Sequence, residues 1–143
     1  MASSSDTASE PGLSVGLRAS VRAAVTEADT AQAMGSGDVP VLATPRLLAL
    51  AEAAACAAVL PHLADGLTSV GTSASVEHRT ASPLGAEIVV EAELTEVDGR
   101  RLVFGFIARA ADTDEDVVVG AGTVERVVLD RARFIARAQA GGR

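Results

Sequence analysis

Residues 44–61 read TPRLLALAEAAACAAVLP, and this stretch decides the fold. Thr44 is a typical N-cap residue, and the proline that follows it suits the first turn of a helix. Ala and Leu, the best helix formers, dominate the positions up to Pro61, which ends the helix. After Arg46 the only charged residue in this run is Glu52. A helix that is apolar on all sides is predicted to be buried.

After this helix the sequence changes to an alternation of apolar and polar residues with period two. The alternation predicts four strands, at residues 67–80, 87–97, 101–111 and 117–129. The dipeptide Asp98-Gly99 indicates a tight hairpin. Gly120 and Gly122 indicate a bulge or the close approach of another backbone. A weaker strand is expected upstream, and Asp130 is expected to cap a short C-terminal helix.

Short hairpins join antiparallel strands, so the pattern predicts an antiparallel sheet. One long apolar helix and one such sheet predict an α+β fold in which the sheet wraps around the helix. We expect one domain over residues 13–138, with a mobile N-terminal tail at 1–12 and a short C-terminal tail at 139–143. The glycine-rich stretch 34–40, MGSGDVP, is predicted to be a flexible linker.

Composition argues against several classes of function. The 143-residue chain has a net charge of -7 and a sequence pI of about 4.7, so we expect no nucleic-acid partner. All 12 of its basic residues are Arg. The absence of lysine excludes Schiff-base chemistry and a P-loop. One Cys argues against a multi-cysteine metal site, and no spacing supports a metal site at all. Without a long apolar run or a signal peptide, we expect a cytoplasmic protein away from the membrane.

The carboxylate inside the apolar helix is the main candidate for chemistry. Such a group must shift its pKa or find a partner, which makes Glu52 a candidate catalytic residue. An ion pair with Arg46, or a polar stripe that reaches solvent, would also explain it. His78 could orient a carboxylate or could be an ordinary polar residue of a strand. His62 is expected near the carbonyls at the helix end, and Cys56 is expected to be a small hydrophobe.

Four segments give the chain a resemblance to the fluoroacetyl-CoA thioesterase family of hot-dog proteins, over residues 13–138. They read VLATPRLLALAEAAACAAVLPHL, SVGTSASVEHRTASPLG, EAELTEVDGRRL and GAGTVER. The resemblance implies a hot-dog fold, a homodimer and a metal-independent thioesterase that hydrolyses acyl-CoA. Coenzyme A would enter as part of the substrate, and no cofactor is implied.

The resemblance also implies site residues. The catalytic threonine, glutamate and histidine of the family fall on Thr44, Glu52 and His78. The glycine whose N–H faces the thioester oxygen falls on Gly71, where it would stabilise an oxyanion. Arg126 matches the family's arginine near the end of the last strand, although cross-strand pairing with a glutamate would explain it equally well. The glutamate would act either as the nucleophile or as a general base for water.

Coenzyme A is anionic, so a protein with a charge of -7 needs a local cationic patch to bind it. The candidates for this patch are Arg79, Arg100, Arg101, Arg131, Arg133 and Arg137. The fluoroacetyl-selective member of the family has phenylalanines just before its catalytic threonine. Residues 34–42 contain no aromatic residue here, which predicts only modest selectivity for fluoroacetyl over acetyl. A non-catalytic module that binds acyl-CoA or a small apolar ligand, and an enoyl-CoA hydratase, are the competing functions.

Overall fold

A five-stranded antiparallel sheet wraps around one long helix. The computed structural model describes residues 13–141, so the predicted tail at 1–12 and the last two residues lie outside the described part. The sheet has the strand order β1-β3-β4-β5-β2. Its strands are β1 (Arg18–Ala24), β2 (Leu67–His78), β3 (Glu87–Asp98), β4 (Arg101–Ala110) and β5 (Val118–Asp130). The helices are α1 (Ala31–Met34), α2 (Thr44–Val59) and α3 (Arg131–Gln139). The predicted α+β fold is confirmed.

The core lies between α2 and the concave face of the sheet. Alternate residues of the two central strands point into it and are buried: Ile88, Val90, Ala92, Leu94, Leu102, Phe104, Phe106 and Ala108. From the helix side the buried residues are Leu47, Leu50, Ala51, Ala54, Ala55, Ala58 and Val59. Burying each of the large side chains contributes about 1.5–3 kcal/mol. The period-two pattern therefore predicts the correct inward faces.

The prediction that α2 is buried on all sides is wrong, because the sheet covers only one side of it. The uncovered side, which we call the open face, consists of Ala49, Ala53 and Ala57, which are exposed, and Leu48, Glu52 and Cys56, which are partly buried. Leu60, directly after the helix, extends this face and is also exposed. The 19-residue segment Thr44–His62 is long and apolar enough to cross a membrane by length and composition. In this fold its buried side packs against the sheet, as in the core helix of a globular protein.

Strand β2 lies at an edge of the sheet, and every one of its residues is at least partly exposed. Its inner neighbour β5 approaches it very closely. A Cβ on Gly122 would overlap the carbonyl oxygen of Ser75, and a Cβ on Gly120 would lie 2.6 Å from that of Glu77. The predicted close approach of another backbone at these two glycines is confirmed.

The stretch 34–40 is folded, so the prediction of a flexible linker is wrong. Gly35 ends α1 in a left-handed conformation with φ 76°, and the N–H of Ser36 donates to the carbonyl of Ala31. The N–H of Gln32 donates to the carbonyl of Val39, at 3.1 Å. These backbone bonds fold the stretch into a turn beside the start of α2. A glycine can therefore mark a tight turn with a left-handed backbone conformation, and not only a flexible linker.

Candidate active site

Thr44 is the first helical residue and does not cap the helix, so its predicted role as the N-cap is wrong. Ala43 is the N-cap, and its carbonyl already accepts the N–H of Leu47, at 3.0 Å. The Thr44 hydroxyl makes no capping bond. Instead it lies 2.8 Å from Nδ1 of His78, the last residue of β2. The structure thus brings together two residues that are 34 positions apart in the sequence.

The imidazole of His78 is partly buried, and this burial lowers its pKa below the ordinary value of 6.5. The neutral ring is therefore the dominant form at neutral pH. Its Nε2 atom is buried and has no hydrogen-bond partner among the residues that the structure describes. A buried polar atom without a partner is rare and marks either a binding position or a missing neighbour.

Thr44 and His78 lie on the wall of a cavity of about 380 Å³. The folded turn of residues 36–39 and Arg79 also line this cavity. The Arg79 guanidinium pairs with Glu77 at 3.1 Å, and both side chains are largely exposed. The cavity combines apolar side chains with hydroxyl groups, an imidazole and two charged side chains, a mixture that suits small organic ligands.

Glu52 finds its partner on β5 and not within its own helix. Its Oε2 lies 3.1 Å from Nη1 of Arg126, whereas Arg46 pairs with Asp29 at 2.9 Å. Arg126 is only 7% exposed. Its Nε donates to the Ser69 hydroxyl at 2.8 Å and its Nη2 to the Ser69 carbonyl at 2.9 Å. The guanidinium is thus fixed in position and holds one oxygen of the carboxylate.

Arg126 therefore does not make the cross-strand ion pair with a glutamate that was the alternative explanation for it. Its neighbour in sequence, Glu125, pairs with Arg101 at 3.0 Å. Sequence reasoning missed Ser69. The signal was available in principle, because a buried guanidinium has five N–H donors and one carboxylate cannot accept all of them. A hydroxyl on the adjacent strand was the natural second acceptor.

Gly71 lies directly against the carboxylate. A Cβ at this position would overlap Oε2 of Glu52 and would lie 3.4 Å from Nη1 of Arg126. The register between β2 and β5 shifts between Gly71 and Ser73, which leaves Thr72 without a direct partner. Only a residue without a side chain lets the carboxylate approach the strand at this point. The structure therefore brings Glu52, Gly71 and Arg126 together in one cluster.

The predicted site residues form two clusters in a single copy of the chain. Thr44 and Glu52 are eight residues apart on α2, a rise of about 12 Å. No hydrogen bond joins the Thr44–His78 pair to the Glu52 cluster within residues 13–141. His62 is exposed, and no group of three or more potential metal ligands occurs in this part of the chain.

Comparisons with known proteins agree with this architecture. The model of the family described as FlK, fluoroacetyl-CoA-specific thioesterase, matches residues 25–132. A fluoroacetyl-CoA thioesterase of Streptantibioticus cattleyicolor is 38% identical over 97 residues, which are 68% of this chain and 67% of that protein. A solved structure of an FlK variant with acetyl-CoA superposes with a TM-score of 0.82 at 30% identity, covering 90% of this chain and 98% of that one.

A thioesterase-superfamily protein of Thermus thermophilus superposes with a TM-score of 0.79 at 26% identity, over 89% of this chain and 91% of that chain. The family model covers most of the described residues and includes both clusters of the site. The sheet wrapped around a helix is accordingly the hot-dog fold. The chain belongs to the fluoroacetyl-CoA-specific thioesterase family.

Proposed function

We propose that this protein hydrolyses acyl-CoA thioesters, with Glu52 as the group that attacks the carbonyl or activates water. The observation that carries the proposal is the position of this carboxylate. It lies on the open face of α2, its side chain is 40% exposed, and its Oε2 occupies the space that a Cβ on Gly71 would need. Acyl transfer requires a positioned carboxylate, and the proposal assigns the oxyanion to the N–H of the adjacent Gly71.

Glu52, Gly71 and Arg126 each have a separate role in the proposed reaction. Either a Glu52 oxygen or a water molecule that it deprotonates adds to the thioester carbon, and the Gly71 N–H stabilises the developing oxyanion. The C–S bond then breaks, and the thiolate of coenzyme A takes up a proton. In the nucleophilic route, water hydrolyses the resulting mixed anhydride and regenerates the carboxylate. Arg126 acts as a positioning residue, because it fixes the oxygen that faces Gly71.

The Thr44–His78 pair completes this site only if it comes from a second copy of the chain. Three features support a dimer. The β2 edge has unpaired backbone groups, the open face of α2 is apolar, and Nε2 of His78 has no partner within the described residues. An exposed strand edge and an apolar helix face are both covered when two copies associate about a two-fold axis.

The spacing along β2 fits such an arrangement. Gly71 and His78 are seven residues apart, or about 23 Å along the strand. A two-fold axis at Ala74 and Ser75 would pair two β2 strands in antiparallel fashion. It would place Gly71 of one copy opposite His78 of the second copy. Each dimer would then have two equivalent sites, each built from both clusters.

The first experiment measures hydrolysis of a panel of acyl-CoA thioesters by the purified protein. We expect turnover by the wild type and a decrease in kcat of about 10²–10⁴-fold in Glu52→Gln, since that is the usual contribution of a general base. Glu91→Gln, on the outer face of the sheet, is the matched control and should retain full activity. Turnover by Glu52→Gln at the wild-type rate would refute the assignment. Binding of acyl-CoA without any hydrolysis would favour the non-catalytic module.

The second experiment tests whether the site is shared. Glu52→Gln and the double variant Thr44→Val/His78→Ala are each expected to be slow as homodimers. In a mixed dimer the two defects fall in the same site and leave the other site intact. Random exchange of subunits should therefore restore about a quarter of the wild-type activity. If the mixture stays as slow as its components, each site belongs to a single copy.

A further inference from the structure

The arginines of this chain divide into two groups. Eleven lie within residues 13–141, and seven of these have a carboxylate partner: Arg18, Arg22, Arg46, Arg79, Arg101, Arg109 and Arg126. Within the same part of the chain, Arg100, Arg131, Arg133 and Arg137 form no ion pair. Arg100 lies in the turn before β4, and the other three lie on α3. Uncompensated positive charge is therefore concentrated at one end of a strongly acidic protein.

Three of these arginines share a cavity of about 170 Å³ with an aromatic ring. Arg100, Arg133 and Arg137 line it together with Phe134 and Leu129. Asp130 also lines the cavity, but one of its oxygens caps α3 by accepting the N–H of Arg133 at 2.9 Å. The three guanidinium groups outnumber this single carboxylate.

Phe134 is unusual among the aromatic residues of the chain. The other two phenylalanines, Phe104 and Phe106, are buried in the core, whereas Phe134 is 41% exposed. The chain has no Trp and no Tyr. The single exposed aromatic ring of the protein thus lies beside its uncompensated arginines. A flat apolar ring stacks on a nucleobase, and guanidinium groups bind phosphate through paired N–H donors.

The charges of the chain are also separated along the sheet. The turn Asp112-Thr113-Asp114-Glu115-Asp116 follows β4, whereas Arg100 precedes it. The ten residues of β4 span about 33 Å. The acidic turn is therefore far from Arg100, so its charge weakens the binding of an anion there only slightly.

We propose that the cavity between α3 and the β3–β4 turn binds the nucleotide end of coenzyme A, with Arg100, Arg133 and Arg137 on its phosphates and Phe134 against the adenine. This inference rests on the proposed function. The location fits, because α3 follows directly after Asp130, which pairs with Leu67 at the start of β2. Leu67 is four residues from Gly71, or about 13 Å along the strand. The extended pantetheine arm bridges such a gap between the thioester and the nucleotide.

The test compares acetyl-CoA with acetyl-pantetheine, which lacks the nucleotide. In Arg133→Ala/Arg137→Ala we expect KM for acetyl-CoA to rise by about tenfold or more, because two charge-assisted contacts are lost. Its kcat and its KM for acetyl-pantetheine should stay unchanged. Both arginines are exposed and unpaired within the described residues, so the fold should not suffer. Phe134→Ala should give a smaller effect in the same direction.

The control is Arg22→Ala/Arg109→Ala, which removes the same charge from ion-paired positions elsewhere. An equal rise in KM in this control would show that the effect comes from the change in net charge, and it would overturn the proposed site. A rise in KM for acetyl-pantetheine would overturn it as well, since that substrate does not reach the cavity.

Calorimetry with adenosine 3′,5′-bisphosphate separates this inference from the proposed function. We expect wild-type protein to bind this probe, ADP to bind more weakly, and Arg133→Ala/Arg137→Ala to lose binding. Binding of the probe by a protein that hydrolyses no thioester would support the site and refute the function. Active protein whose affinity for the probe is the same in wild type and variant would refute the site. Equal competition by inorganic phosphate would mean that the cavity recognises phosphate alone, and would overturn the nucleotide assignment.

Discussion

Glu52 shows how much a single position depends on residues far away in the sequence. Its ion pair with Arg126 spans 74 positions, and Ser69 orders that arginine through two hydrogen bonds. Hydrogen bonds that involve a charged group contribute about 1.5–3 kcal/mol each. The carboxylate thus keeps its orientation although its side chain is 40% exposed. The position of this carboxylate is set by β2 and β5 as much as by the helix that carries the glutamate.

Gly71→Ala should reduce activity with little effect on the fold. The new Cβ would overlap Oε2 of Glu52, which is the end of a flexible side chain and can move away. We expect kcat to fall by about 10²-fold, since a displacement of about 1 Å at a reacting group has that effect. Measurement of kcat and of the melting temperature checks this. Gly105→Ala is the control, because its Cβ would make an ordinary contact at 3.8 Å with Thr95. An unchanged kcat in Gly71→Ala would show that activity does not depend on the position of the Glu52 carboxylate beside this strand.

His78 should make stability depend on pH. Burial lowers the pKa of its imidazole in the folded state below the value of 6.5 that the unfolded chain retains. Between these two values the unfolded state binds more protons, so the free energy of unfolding falls as the pH drops below 6.5. Above that pH the contribution is fully present. Urea unfolding between pH 5 and pH 8, roughly the range in which histidine titrates, checks this. His78→Gln should lose part of the dependence, whereas His62→Gln, at an exposed position, should keep it.

The sequence offered candidate residues for the site, but it did not predict their contacts. Glu52 was identifiable because a lone carboxylate in an apolar helix needs a partner. Its partner could not be predicted, since Arg46 and Arg126 are both plausible until the strand register is known. Thr44 was misassigned as a cap because the local pattern Thr-Pro favours capping. Its true partner, His78, comes from another element.

At the scale of elements, β5 depends on its glycines in a way that a strand pattern conceals. Gly122→Ala should destabilise the protein by about 1–3 kcal/mol, because the added methyl group would overlap the backbone of β2 and the two strands would have to separate. Denaturant unfolding provides the measurement. Gly105→Ala, in the neighbouring strand β4, should change stability much less. Equal stability of both variants would show that β2 and β5 separate without cost.

Strands β3 and β4 were predictable almost to the residue, since alternation specifies both the strand and its buried face. Helix α2 was predictable in extent but not in its environment. Alanine is compatible with core, surface and interface alike, so the run of alanines does not reveal the open face. The small helix α1 was missed because its four residues carry too little periodicity. Its folded turn depends on backbone bonds, which the side-chain pattern does not encode.

For the whole molecule, the turn of residues 36–39 sets the expected substrate range. This turn borders the cavity of Thr44 and His78 and contributes Ser, Gly, Asp and Val to its wall. A wall without bulky rings discriminates weakly, and a difference of one small group is worth only about 1–3 kcal/mol even in a well-formed pocket. We expect kcat/KM for fluoroacetyl-CoA to exceed that for acetyl-CoA only modestly, and longer acyl groups to be accepted. A preference above about 10⁴-fold would contradict this expectation.

The open face of α2 also provides a reporter of assembly. Cys56 is the only cysteine of the chain and lies on this face one turn after Glu52, where it is partly exposed. In the proposed dimer the second copy would shield its sulfur, so a thiol reagent would modify it only after the two copies separate. The rate of labelling under dilute conditions would then equal the dissociation rate of the assembly. Because the chain lacks tryptophan and tyrosine, labelling of this thiol offers a way to measure the lifetime of the proposed dimer without any substitution.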